Sequence, residues 1–438
     1  MKTWQRRVFW TVWITYFSYY LCRYNMPMAK TRMCETFQWD TAQFGLILSA
    51  LTVAYAVGQF VSGQLADRFG GRLIASVGAA GSVILNVVIF AVLWFSDAAA
   101  PKTVLYALVV LWGANGFFQA MGWPSMVRIM AHWFPAATRG RIMGLMGTSY
   151  QLGAAFSWFL ALCIIQFYAG RWGGDWRMVF LAPAVLFGGA GIVFLVFIRN
   201  TPQDVGLPPV QEDGGPATAA HAASPTTLGG NIARTLKNPY LWVVAATFFL
   251  LDVNRYGFVN WLPAYLDERQ VSMGVIGFGV RDVISRLIHP LAGALGAIVA
   301  GWATDRFFAG RRAPVIAVLL LLLGAFSIVF PYLPYTHTWL LIGVLALVGF
   351  CTYGPHILLV GHAAQDFGKQ SGAAGAAGFI DGMGYIGASL AGYGAGAIIK
   401  AYGYEVNFVV FGLAAILGAA MICVLWKAGP ETHTIASS

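Results

Sequence analysis

Two arginines stand inside stretches that are otherwise apolar. Arg255 lies in Leu251–Trp261, L-D-V-N-R-Y-G-F-V-N-W, within an apolar run from Pro239 to Leu266. Arg23 lies in Tyr19–Asn25, Y-Y-L-C-R-Y-N, within the first apolar run, and a tyrosine follows each arginine. About 20 apolar residues cross a bilayer. A charge at the centre of such a segment costs roughly 2.5–3.5 kcal/mol on insertion scales, so a buried arginine there marks a functional site. Each arginine sits about 15 residues into its run, about 22 Å along a helix rising 1.5 Å per residue. Paired guanidiniums at matching depth suit an anion, because the planar fork matches the oxygens of a carboxylate or phosphate.

Polar neighbours recur at helical spacing. Tyr16, Tyr20 and Arg23 share one face of the first run, and Tyr55, Gln59 and Ser62 share a face of the second. Their hydroxyls can bond phosphate or sugar oxygens, although tyrosines also collect at membrane interfaces. Asp252 precedes Arg255 by three residues, so the two can meet on one face. Either they form an ion pair that settles the arginine, or the acid receives a cationic group on a substrate. Asp381 is a second acid within an apolar run, in the stretch Gly372–Gly396, whose many glycines and alanines permit close helix packing. No phosphate-cradling glycine loop with Lys and Ser/Thr is present, which argues against ATP use. The histidines, including His289 and His356, form no metal-ligand set, and the five cysteines lack ligand spacing. No nucleophile–base constellation stands out. The expectation is no enzyme, no cofactor and no metal.

The elements that must position these residues are membrane helices. Of 438 residues, 58% are hydrophobic and only 10% charged, against about a quarter charged in soluble domains. The net charge of +10 is spread over short loops and sets topology rather than binding nucleic acid. Twelve apolar runs are expected near 8–28, 44–65, 73–95, 103–128, 141–168, 177–198, 239–266, 283–303, 313–334, 338–362, 372–399 and 404–427. Residues 1–199 and 239–438 thus form two six-helix bundles, joined by a Pro-, Gly- and Ala-rich linker at 200–238. Met1–Arg7 and the apolar stretch after it read as an uncleaved first helix, since no small-x-small site follows. With both termini on one side, that side holds sixteen Lys and Arg and the other nine; Arg23 and Arg255 complete the 27. The positive side faces the cytoplasm, so both termini and the linker are expected there.

The two halves echo one another. Gly63–Arg72 reads G-Q-L-A-D-R-F-G-G-R, and Gly301–Arg312 reads G-W-A-T-D-R-F-F-A-G-R-R. Asp67, Arg68 and Arg72, with Asp305 and Arg306, are candidates to bond helix ends across a cytoplasmic gate. This G-x-x-x-D-R-x-G-x-R loop resembles the signature of the major facilitator superfamily. More pieces resemble its organophosphate:phosphate antiporters over essentially the whole chain: Q-A-M-G-W-P at Gln119–Pro124, R-x-T-P-Q-x-x-G-L-P-P at Arg199–Pro209, R-Y-G-x-x-x-W-x-P-x-Y-L at Arg255–Leu266 and Y-G-P at Tyr353–Pro355. The resemblance implies a twelve-helix all-α membrane fold with Arg23 and Arg255 gripping phosphate across a central cavity. It also implies cavity aromatics at Tyr16, Tyr20, Tyr55, Trp123, Tyr353 and Tyr385. Four positions depart from the family's pattern: a lysine is replaced by Tyr24, another by Gln59, a histidine by Tyr150 and a tyrosine by Asp252.

The sequence reads as a multi-pass inner-membrane antiporter. It exchanges an organophosphate (sugar phosphate, glycerol phosphate or phosphonate) for inorganic phosphate by alternating access, as a monomer in the lipid bilayer. Two alternatives stay open. One is a transporter-like sugar-phosphate sensor; the other is a proton-coupled organic anion carrier using Asp252 or Asp381.

Overall fold

A backbone crossing hydrocarbon must satisfy its own polar groups, and every described regular element is helical, with no strand among the described residues. The computed structural model describes residues 1–96, 100–170, 172–210, 237–272, 280–308, 311–334, 337–363 and 379–426. The chain divides into two units, Met1–Ala222 and Ala223–Ser438. Most of the expected linker, 211–236, lies outside the described residues.

The first unit runs through α1 (Lys2–Tyr19), a 3₁₀ turn (Tyr20–Cys22), α2 (Asn25–Met28), α3 (Lys30–Phe37), α4 (Thr41–Phe69), α5 (Gly71–Phe95), α6 (Pro101–Gln119), α7 (Gly122–Trp133), α8 (Ala136–Leu162) and α9 (Met178–Phe197). A capping box starts α4: Gln43 N–H donates to Asp40 Oδ1 at 2.8 Å, and Asp40 N–H donates to Gln43 Oε1 at 3.0 Å. The second unit holds α10 (Pro239–Ser272), α11 (Val280–Phe308), α12 (Ala313–Val329), α13 (Thr338–Ile357), α14 (379–390) and α15 (Tyr393–Ile422).

Ten described stretches are long and apolar enough to cross a membrane. The expected run 8–28 is not among them, because α1 is rich in aromatic and polar residues and its helix breaks near Arg23. The expected runs 372–399 and 404–427 fall within one stretch, Phe379–Leu425. Gly403 kinks that stretch at φ +86°, a left-handed backbone that glycine adopts without a Cβ clash. Large apolar side chains stay exposed along the helices, such as Val53, Val57 and Val61 on α4 and Val185, Ile192 and Val196 on α9. These are surfaces for lipid.

The sequence repeat extends into packing. In the first unit a Cβ on Gly58 would run into the Phe117 carbonyl, and one on Gly116 into the Leu51 carbonyl, where α4 crosses α6. In the second unit a Cβ on Gly296 would meet the Phe350 carbonyl, and one on Gly349 the His289 carbonyl, where α11 crosses α13. Gly58 to Gly296 and Leu51 to His289 are both offsets of 238, the spacing that also separates Asp67 from Asp305. Both halves therefore seat one helix on the next but one through the same two glycine contacts.

Candidate functional site

Arg23 sits where the first membrane segment stops being an α-helix. The 3₁₀ turn ends on it, with φ −117° and ψ −39°, and Tyr24 follows at φ −105° and ψ 5° before α2 begins. Irregular backbone at membrane depth survives only where protein replaces the missing bonds. Here side chains do so: Gln119 Nε2 donates to the Tyr19 carbonyl at 3.1 Å, and Asn115 Nδ2 donates to the Cys22 carbonyl at 2.9 Å. Ser157 Oγ adds a longer bond to the Leu21 carbonyl at 3.4 Å.

The same side chains hold the guanidinium. Arg23 is 3% exposed, and its Nε donates to Gln119 Oε1 at 3.1 Å. Gln119 Nε2 also donates to Ser82 Oγ at 2.7 Å, and Ser82 donates to Asn115 Oδ1 at 2.6 Å. Asn25 continues the network, donating to Asn86 Oδ1 at 2.9 Å and to the Val179 carbonyl at 3.2 Å. Gln119, Asn115, Asn86 and Asn25 are all fully buried. Neutral side chains joined by hydrogen bonds thus hold Arg23 in place.

Aromatic rings enclose it. The guanidinium lies 4.6 Å from the ring centroids of both Tyr20 and Tyr55. Tyr16 packs on Tyr20 at 5.7 Å and on Trp123 at 5.1 Å, while Tyr20 packs on Tyr24 at 5.3 Å and Tyr150 at 5.9 Å. The structure thus gathers Arg23, Tyr16, Tyr20, Tyr55, Trp123 and Tyr150 in the first unit. Gln59 lies one turn beyond Tyr55 on α4, half-buried.

The second unit presents its arginine differently. Arg255 is mid-way along α10, which continues unbroken from Pro239 to Ser272. Its Nη1 lies 3.1 Å from Asp252 Oδ1, with the two side chains 8% and 1% exposed. That is an ion contact by distance, yet neither carboxylate oxygen of Asp252 accepts an aligned hydrogen bond. Arg255 also lies 4.6 Å from the Tyr256 ring and 6.0 Å from Tyr353, and Tyr256 packs on Tyr385 at 5.9 Å. Asp252, Tyr353 and Tyr385 therefore gather around Arg255 within this unit. Asn254 anchors the helix from behind, donating to Ser327 Oγ at 2.9 Å and to the Phe411 carbonyl at 3.0 Å.

Sequence reasoning missed several members. Gln119 and Asn25 were legible only as parts of motifs, and Ser82, Asn86 and Asn115 not at all; the available signal is amide residues inside apolar runs. Tyr256 was noted only as the tyrosine that follows Arg255, with no role given to it. His289 and His356 read as packing residues. His289 does stack on Phe258 at 5.9 Å, but it also meets Tyr353 at 5.9 Å, and neither ring nitrogen has a hydrogen-bond partner.

In the two repeated D-R loops the side chains of Asp67 and Asp305 lie outside the described residues. Arg68 and Arg306 are exposed. Arg72 is tied inside its own unit: Nε and Nη2 donate to the Leu195 carbonyl near the end of α9, at 3.1 and 2.6 Å. Its backbone N–H donates to Asn200 Oδ1 at 2.8 Å. Arg128 donates to the Ala66 carbonyl one residue before Asp67. The segment after α9 is thus fastened to the loop that carries the signature.

The described residues are thus helical throughout their regular elements, with a buried arginine amid tyrosines in each of two repeated units. The Major Facilitator Superfamily profile matches residues 12–392 and 287–438. The glycerol-3-phosphate transporter of Bacillus subtilis (strain 168) is 30% identical, covering 98% of this chain and 94% of that protein. A probable hexose phosphate transport protein of Chlamydia pneumoniae is 29% identical over 98% of this chain and 92% of its own length. The membrane sensor protein UhpC of Salmonella typhimurium (strain LT2) is 27% identical over 99% and 94%. Among solved structures, the nucleoside transporter NupG superposes with a TM-score of 0.71 at 14% identity, over 96% of this chain and 100% of that one. A bacterial homolog of the human lysosomal transporter Spinster gives 0.71 at 14%, over 98% of each; these two show the fold alone. The chain belongs to the major facilitator superfamily. Within it, the chain falls among the organophosphate:phosphate antiporter family, a multi-pass membrane transporter group rather than a group of enzymes.

Proposed function

We propose that this protein exchanges an organophosphate for inorganic phosphate across the inner membrane by alternating access, as a monomer with both termini cytoplasmic. The observation that carries the reading is a buried, aromatic-faced arginine in each repeated unit. Arg23 and Arg255 each donate a forked pair of N–H groups to the phosphoryl oxygens. Tyr16, Tyr20, Tyr55, Gln59, Trp123, Tyr150, Tyr353 and Tyr385 line the path and bond the organic part. Asp252 tempers the charge of Arg255. Asp67, Arg68, Arg72, Asp305 and Arg306 work the cytoplasmic gate, with Arg72 holding its loop against α9. The relatives that carry glycerol phosphate and hexose phosphate support this reading. The test is purified protein in phosphate-loaded vesicles, where outward phosphate must drive uptake of a phosphate ester. Vesicles in which no ester elicits counterflow would sink the proposal.

The resemblance to UhpC favours a second reading, a sensor that binds a sugar phosphate and signals to a partner. It expects the purified protein to bind the ester while net flux in partner-free vesicles stays at background.

A further inference from the structure

The neighbourhood of Arg255 is built for more than an anion. Asp252 is 1% exposed, and neither carboxylate oxygen accepts a hydrogen bond although Arg255 Nη1 lies 3.1 Å away. A carboxylate offers about four acceptor positions, and leaving them empty in a buried site is costly. Gly384 on α14 faces the same carboxylate: a Cβ there would sit 2.8 Å from Asp252 Oδ2 and run into Phe248. Asp381 lies three residues before Gly384, on one face of α14 with it. A second carboxylate thus stands on the helix that faces Asp252.

An independent feature points to a missing ligand. His289 is fully buried with both ring nitrogens unpartnered, and its ring meets Tyr353, which in turn faces Arg255. His356, whose Nδ1 is also unpartnered, meets Tyr353 at 6.0 Å. A plain intrahelical ion pair leaves these atoms without purpose. A phosphoryl dianion on Arg255 would also face repulsion from the Asp252 carboxylate beside it. A positive group on the same substrate relieves that repulsion and supplies N–H donors to the vacant oxygens.

We propose that Asp252, backed by Asp381, binds an ammonium group on the substrate, so that the preferred cargo is a zwitterionic phosphate ester or phosphonate with a short carbon linker. This rests on the organophosphate reading above and names its substrate class. The short Asp252–Arg255 distance sets the linker: a phosphoryl group on the guanidinium and an ammonium on the carboxylate are separated by only a few bonds.

The test is competition against labelled phosphate counterflow in vesicles of phosphatidylcholine and phosphatidylglycerol at neutral pH. Ethanolamine phosphate is compared with propyl phosphate, its uncharged-tail counterpart, and with its N-acetyl derivative. The wild type should favour ethanolamine phosphate over both by about tenfold or more in inhibitory concentration, that is, about 1.4 kcal/mol. In Asp252→Asn that ratio should fall towards one, and in Asp381→Asn it should shrink. A wild-type ratio near one overturns the inference, as does a ratio kept intact in both variants. If neither variant is recovered folded, the N-acetyl comparison decides: a preference that survives acetylation overturns it. A preference seen only when the vesicles contain phosphatidylethanolamine assigns the site to a lipid headgroup and also overturns it. Failure of every ester to act on phosphate counterflow is a different result, because it removes the transport reading itself.

Discussion

Arg23 and Arg255 occupy matching places in the repeat but are held by unlike partners, and mutation should expose the difference. Arg23 bonds a neutral amide, Gln119, while Arg255 contacts a carboxylate, Asp252. Arg23→Lys keeps the charge but loses Nε, the forked donor and the stacking on Tyr20 and Tyr55. A hydrogen bond to a charged group is worth about 1.5–3 kcal/mol, so phosphate exchange should drop by about tenfold to a hundredfold in proteoliposomes; Arg255→Lys should do likewise. Exchange at the wild-type rate in either variant would remove that arginine from the mechanism. Gln119→Glu is the sharper probe, because it puts a carboxylate on Arg23 where the protein has a neutral oxygen. We expect phosphate affinity to fall by at least about tenfold, with the effect read as a rise in half-saturating phosphate. Both arginines were legible in the sequence, since a charge in an apolar run is conspicuous against its background. Gln119 was legible only within a motif and not as a partner of Arg23, because a neutral amide in such a run has no charge to betray it and Arg23 lies 96 residues away in sequence.

At the scale of elements, the break after α1 is what the sequence concealed. Residues 8–28 read as one continuous span, and neither glycine nor proline interrupts it before Pro27. The break is tolerated because Gln119, Asn115 and Ser157 on α6 and α8 take up the released carbonyls, and such tertiary compensation leaves no local pattern. The symmetry of the repeat misleads here too: α10 carries Pro263 yet runs through Arg255 unbroken. Packing was more legible, since the glycines that seat α4 on α6 recur at fixed offsets where α11 meets α13. Asn115→Leu should therefore act on stability before it acts on substrate. It leaves the Cys22 carbonyl and Ser82 without their partner, at roughly 1–3 kcal/mol per buried group. The expected result is a clearly lower Tm in detergent, with Gly188→Ala on α9, where a Cβ meets nothing nearer than 3.7 Å, giving a much smaller change. Equal losses in the two variants would mean that the network does not hold the break.

For the whole molecule, the decisive question is whether the empty carrier can cross. The proposed cycle requires that an anion bind the arginines before the buried site is passed from one side to the other. Moving an uncompensated guanidinium through a desolvated intermediate is costly, whereas a bound phosphoryl group supplies the opposite charge at hydrogen-bond distance. Exchange should then be tightly coupled. Vesicles loaded with labelled phosphate should hold it when the outside medium lacks substrate, and release it at least about tenfold faster once phosphate or an ester is added outside. Imposing a pH gradient should neither replace the external substrate nor accelerate efflux without it. Asp67→Asn and Asp305→Asn should slow this stimulated efflux while leaving equilibrium phosphate binding in detergent close to that of the wild type, because the proposed gate loops lie apart from the arginines in sequence. Efflux into substrate-free medium at the exchange rate would show that the empty carrier returns freely, and the obligatory step would have to be abandoned. A pH gradient that drives phosphate out alone would instead assign the coupling to protons.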